Sequence, residues 1–111
     1  MYSRAVVQDG WIFVSGTMGV DAQTGAMPDD FTAQAQNSFR IIENALEQAG
    51  ASLADVAHVR IFVSDRQYLR EMVIVLQQKF TNVMPAQTML IAQMPNEAAK
   101  LEIEVIAKAR D

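Results

Sequence analysis

"VRIFVSDRQYLREMVIVLQQKFTNVMPAQTMLI", Val59 to Ile91, decides the fold. It opens on a β-branched and aromatic run in which Val59, Ile61 and Val63 fall on one side of a strand. Ser64 or Asp65 can then start a helix, whose apolar positions Tyr68, Leu69, Met72, Val73, Leu76 and Phe80 make one stripe. Pro85 blocks further helix, and "AQTMLIAQ" after it reads as the next strand. A strand, helix, strand succession implies a right-handed crossover, with helices packed on one face of a mixed sheet.

Upstream, "AVVQDGWIFVSG" places two β-rich runs around Asp9-Gly10, a hairpin signal because both residues tolerate positive φ. Strands are expected near 4–8 and 11–16. "GVDAQTGAMPDD" carries no apolar period and reads as a loop ending in a helix cap at Asp29 or Asp30. From there Phe31, Ala35, Phe39, Ile42, Leu46 and Ala49 recur at helical spacing until Gly50 stops the run. "SLAD", Ser52 to Asp55, has the form of a capped turn before the third strand. Downstream, "MPNEAAK" is a connection and "LEIEVIAKA" a fifth strand in which Leu101, Ile103 and Val105 alternate.

The expected order is therefore ββαβαββ, an α+β domain spanning 1–111 with no repeat or linker. One helical layer leaves the second sheet face uncovered, although it carries apolar residues such as Ile106 and Leu90. Neighbouring subunits are expected to cover it.

Composition narrows the function. The 111 residues are 50% hydrophobic and 20% charged, as in a globular domain, with a net charge of −4 and nine scattered Lys and Arg. That balance argues against nucleic acid as a partner. No cysteine is present, which removes disulfides and thiolate chemistry and fits a reducing compartment. The start "MYSRAVVQDG" lacks a signal-peptide pattern, and the apolar runs are shorter than a membrane span, so a cytoplasmic protein without a membrane partner is expected. One histidine and no cysteine leave no convincing metal cluster. "SGTMG" lacks the lysine and spacing of a phosphate loop.

The ordered motifs "YSRAV" (Tyr2 to Val6), "VSGTMGVDAQTG" (Val14 to Gly25), "AQAQNSFRIIENALEQAG" (Ala33 to Gly50), "LADV" (Leu53 to Val56), "PAQTM" (Pro85 to Met89) and "LEIEVIA" (Leu101 to Ala107) cover nearly the whole chain. In these the sequence resembles the Rid family, the reactive intermediate deaminases also called the YjgF family. The resemblance implies a chorismate-mutase-like fold of the bacillary type, a homotrimer, and small-molecule ligand clefts between subunits that need no cofactor. It further implies a strand glutamate, at Glu102, that handles protons, with Ser15, Gly16 and Tyr2 along the same cleft. Family members acting on 2-aminoacrylate carry an arginine after Pro-Ala that clamps the substrate carboxylate; here that position is Gln87. The position of a frequent cysteine is Met89, which the resemblance adds to the substrate-binding set with Gln87, Ser15, Gly16 and Tyr2, and that of an asparagine in the second helix is Val73.

Guanidinium offers a carboxylate two charged hydrogen bonds, whereas a carboxamide offers a neutral one, a loss of roughly 1.5–3 kcal/mol. On its own chemistry Gln87 is a polar strand residue facing water; the resemblance makes it a cleft wall binding a ligand without a free α-carboxylate. Glu102 and Glu104 share one strand face by the period of two and read either as solvated edge glutamates balanced by Lys100 and Lys108 or, at Glu102, as the proton carrier. Arg4 and Arg60 are the candidates to replace the missing charge, and His58 reads as a surface or interface residue. Ser15 has no nucleophile elbow around it. Two functions stand: a hydrolase or deaminase of an imine, enamine or similar metabolite, and a non-catalytic trimeric module that binds one. A ribonuclease is disfavoured by the acidic balance and the lack of aromatic residues among basic ones.

Overall fold

Asp9 and Gly10 adopt φ of 53° and 81°, and this turn reverses the chain between β1 (Ala5–Gln8) and β2 (Trp11–Thr17). The computed structural model describes residues 1–110. After a loop comes α1 (Phe31–Gln48), whose N-terminus is capped by the Asp30 carboxylate accepting from the Ala33 N–H. Ser52 and Asp55 then form a reciprocal capping box on a short 3-10 turn that leads into β3 (Val56–Val63). Asp65 caps a second 3-10 turn before α2 (Leu69–Lys79), followed by β4 (Ala86–Ile91) and β5 (Leu101–Lys108).

The sheet order is β1-β2-β5-β3-β4, with β3 and β4 parallel across the α2 connection and every other pair antiparallel. This is the expected mixed sheet, and both helices pack on one face of it. Ile12 and Val14 from β2, Val59, Ile61 and Val63 from β3, and Leu101, Ile103 and Val105 from β5 point under the helices into one buried core. From above it is closed by Phe31, Ala35, Phe39, Ile42 and Leu46 of α1 and by Met72, Val75 and Leu76 of α2. Rings of Phe31 and Tyr68 stack at 4.8 Å, and Phe39 meets Phe80 edge-on at 5.9 Å, which joins the two helices.

Two expectations are corrected. Val73 is 44% exposed and stands off the apolar stripe of α2; Val75 takes the buried place, because the helix turns adjacent residues about 100° apart and Met72 already fills the inward position. Nor do the strand glutamates sit at an edge: β5 lies between β2 and β3, so Glu102 and Glu104 stand mid-sheet on the face away from the helices. Glu104 pairs with Arg60 at 2.5 Å, Lys100 with Asp29, and the Lys108 ammonium lies over the Trp11 ring.

That second face carries no helix. Trp11 (38% exposed) and Phe13 (45%) from β2 and Leu90 (47%) from β4 present apolar surface there around the Arg60–Glu104 pair and His58. No helix among the described residues is long and apolar enough to cross a membrane.

Candidate functional site

The register of β2 against β5 slips where the site is built. Val14 lies opposite Val105 and Thr17 opposite Ile103, so Ser15 and Gly16 together face the single residue Glu104. This is a β-bulge, which bends the strand and takes backbone groups out of the ladder. Thr17 turns inward and is buried, its carbonyl accepting from Ser38 Oγ of α1 at 2.8 Å. Gly16 turns against Glu102. A Cβ placed on Gly16 would stand 2.2 Å from Glu102 Oε1, so only glycine lets the carboxylate lie against this backbone.

Glu102 thereby becomes the floor of a pocket of about 350 Å³, walled by Tyr2, Ser15, Gly16, Met18, Pro95 and Asn96. Burial raises its pKa above the ordinary carboxylate value, the Glu104 carboxylate adds to this, and the Arg4 guanidinium partly opposes it. A carboxyl whose pKa is raised binds a proton more readily than a solvated one, the direction that proton carrying needs. Ser15 Oγ donates to the Ser3 carbonyl at 2.7 Å, which ties the segment before β1 to the bulge.

The opposite lip, Pro95 and Asn96, is set by a buried amide. Gln34 of α1 donates through Nε2 to the carbonyls of Pro28 (2.7 Å) and Ala98 (3.0 Å), while its Oε1 accepts from the Lys100 N–H at 2.9 Å. Asn96 Oδ1 in turn accepts from the Ala98 N–H at 2.9 Å. Met18, Pro95, Asn96 and Gln34 were not anticipated as parts of a site; they belong to loops and to a helix interior, where apolar period carries no information about the cleft.

Gln87 is elsewhere. It pairs with Val59 in the β3–β4 ladder, and cross-strand partners share a face, so its side chain is on the helix side. Glu102 pairs with Phe62 and faces the other way. Within one chain the two residues point away from each other. Gln87 lines a groove of about 430 Å³ between α2 and β4, together with Val73, Leu76, Gln77, Phe80 and Met84. Its lining residues carry no charge, and its polar side chains are the carboxamides of Gln77 and Gln87. Met89 shares the Gln87 side of β4 but packs against the core, opposite Ile61.

Neither arginine is placed to serve as a carboxylate clamp in the Gln87 groove. Arg60 is engaged with Glu104, and Arg4 Nη1 donates to the Gly16 carbonyl and to Thr17 Oγ1 at 3.0 and 2.6 Å. Among the described residues, no group of three or more His, Cys, Asp or Glu could hold a metal ion.

Sequence and structure comparisons agree on kinship. The family model described as "Endoribonuclease L-PSP" matches residues 1–109. The chain belongs to this Rid, or YjgF, family. Among Rid relatives, a 2-iminobutanoate/2-iminopropanoate deaminase of Salmonella typhimurium is 30% identical over 113 residues, covering 98% of this chain and 88% of the relative. Solved Rid structures superpose closely. Rv2704 of Mycobacterium tuberculosis is 38% identical with a TM-score of 0.86, over 97% of this chain and 86% of that one. TdcF of E. coli, solved with bound serine, is 29% identical with a TM-score of 0.92, over 99% and 89%. The mixed sheet with two helices on one face is thus the Rid fold, related to that of chorismate mutase.

Proposed function

We propose that this protein is a cofactor-independent hydrolase that deaminates a small imine or enamine lacking a free α-carboxylate, in clefts shared by two copies of the chain. Glu102 is its proton carrier. The observation that carries this reading is the Glu102 carboxylate lying against Gly16 in an open pocket, with its pKa raised by burial. In the reaction, water adds to the C=N carbon of the imine, or of the imine tautomer an enamine forms by moving its N–H proton to carbon, while Glu102 takes one water proton and delivers it to nitrogen. The resulting carbinolamine then loses ammonia as Glu102 carries the hydroxyl proton to the departing nitrogen, leaving a carbonyl product. Tyr2, Ser15 and Gly16 hold the ligand on one side.

The other side comes from a second copy, whose α2–β4 groove brings Gln87. Exposed Trp11, Phe13 and Leu90 support such an assembly, since an apolar face of this kind is normally covered. A homotrimer in the cytoplasm is the assembly proposed, and sedimentation as a stable monomer at micromolar concentration would contradict it. Absence of cationic residues from the groove favours an uncharged ligand group there and supports the alternative of a binding module that has lost the chemistry.

The experiment compares turnover of 2-iminopropanoate and of an uncharged imine by the purified wild type, Glu102→Gln and Gln87→Arg. Expected results are preference for the uncharged imine, loss of turnover with retained binding in Glu102→Gln, and a gain on 2-iminopropanoate in Gln87→Arg. The gain expected is about tenfold or more, because a charge-assisted contact of roughly 1.5–3 kcal/mol is restored. Full-rate turnover by Glu102→Gln would refute the role given to Glu102. Rapid use of 2-iminopropanoate by the wild type would refute the ligand class.

A further inference from the structure

A bulge must find partners for the carbonyls it removes from the ladder. Here the donor is Arg4. Its Nη1 reaches the Ser15 carbonyl at 3.3 Å, the Gly16 carbonyl at 3.0 Å and Thr17 Oγ1 at 2.6 Å, so one nitrogen spans the whole irregular stretch. Its Nη2 donates to the Tyr2 hydroxyl at 2.9 Å, and the guanidinium carbon lies 5.2 Å from the centre of the Tyr2 ring. Tyr2 is 67% exposed and three residues before the first strand, a position that frays unless tied down.

We infer that Arg4 is the positioning residue of the Glu102 pocket: one guanidinium fixes the Ser15–Gly16 bulge under the carboxylate and holds Tyr2 over it as a wall. The inference rests on the reading of Glu102 as the working carboxylate. Arg4 acts through these neighbours, because its Nη1 and Nη2 both donate to protein oxygens. It also sets the local charge. The ionisable groups facing Glu102 are Glu104 on its own strand, which is paired to Arg60 of β3, and, from the segment before β1, Arg4 and the Tyr2 phenol in the pocket wall; Phe62 of β3 faces it without charge. Arg4 is thus the cation that opposes the effects of burial and of Glu104 on the carboxylate.

A lysine cannot do both tasks. It keeps the charge but lacks the planar fork that meets the bulge oxygens and the phenol hydroxyl together.

The test is read by NMR on the full chain without substrate, following the side-chain carboxyl carbon of Glu102 against pH and the backbone order of Tyr2 and Gly16. In Arg4→Met the Glu102 midpoint moves up and Tyr2 loses order. In Arg4→Lys Tyr2 loses order as much, while the midpoint moves less. Tyr2→Phe removes only the hydroxyl acceptor and keeps a folded chain in hand should Arg4→Met not fold; residue 2 should then lose part of its order, since the ring still meets the guanidinium, with the Glu102 midpoint unchanged. Wild-type midpoint and Tyr2 order in Arg4→Met, or full order at residue 2 in Tyr2→Phe, would overturn the inference. Turnover does not enter these readouts, so the role of Arg4 stands or falls even in a protein that deaminates nothing.

Discussion

Gly16 and Glu102 are in van der Waals contact across the β2–β5 bulge, so close that a methyl group on Gly16 would overlap the carboxylate at 2.2 Å. The obstructed atoms are the end of a flexible side chain, which can swing away at little cost in stability. Gly16→Ala is therefore expected to fold with a change in unfolding free energy within about 1 kcal/mol, yet to lose the ligand affinity or turnover of the Glu102 pocket. Denaturant melts set beside ligand binding measure the two effects separately.

Gly19 makes the opposite case. A Cβ there would meet the backbone of Gln34, at 2.3 Å from its carbonyl oxygen and 2.5 Å from its Cα. Helix backbone cannot step aside as a carboxylate can. Gly19→Ala should cost on the order of 1–3 kcal/mol, as for an overpacked interior, and lower the urea midpoint without changing its slope.

Gln34 is fully buried with its three hydrogen bonds made to backbone groups of the segments at 28 and 98–100. Replacing it with Leu keeps the volume but takes the partner from the Lys100 N–H and from the Pro28 and Ala98 carbonyls, at about 1–3 kcal/mol for each group left buried and unpaired. Gln34→Leu is expected to lose roughly 2 kcal/mol or more and to speed hydrogen exchange at Lys100, while amides of β3 change only with global stability.

Most of this architecture is legible because period and turn chemistry agree along the chain. Phe31 through Leu46 recur at helical spacing, Asp9-Gly10 demands a turn, and Pro85 forbids more helix. What is not legible depends on register. The bulge at Ser15–Gly16 arises only when β2 meets β5, and neither residue carries an apolar signal to mark it. The separation of Gln87 from Glu102 onto opposite faces likewise follows from the pairing of Gln87 with Val59 and of Glu102 with Phe62. Val73 reads as part of the stripe because it is apolar, yet its exposed flank belongs to the groove that Gln87 lines.

Asp55 accepts from the Ser52 N–H at 2.9 Å and from Arg110 Nε at 2.5 Å. Burial opposes its charge, but the Ser52 N–H and the Arg110 guanidinium outweigh that and hold its pKa below the usual value of 3.8. A carboxylate with a depressed folded pKa contributes stability above the unfolded value and loses it as pH falls through the folded one. Asp55→Asn should thus cost about 1 kcal/mol at pH 7, the scale of a lost cap, with the gap to wild type closing below pH 3.8. Melts at the two pH values decide it.

Glu102 runs the other way. Its folded pKa is raised above the unfolded value of 4.5, with burial the leading cause, so the folded state holds its proton more tightly than the unfolded chain does. The contribution of this group is whole below 4.5 and is lost as the pH climbs through the raised folded value, because above it a charge must be kept in a partly desolvated pocket. Glutamine fills the same space without that charge. Glu102→Gln is accordingly expected to melt above the wild type at pH 7 and level with it at pH 4, the reverse of the Asp55 pattern. A charge expected to lower stability at working pH fits a role other than folding, and the proton-carrying role supplies one. A Glu102→Gln variant melting below the wild type at pH 7 would show that the attraction of Arg4 outweighs burial, and the carboxyl would then be an ordinary anion unsuited to passing protons.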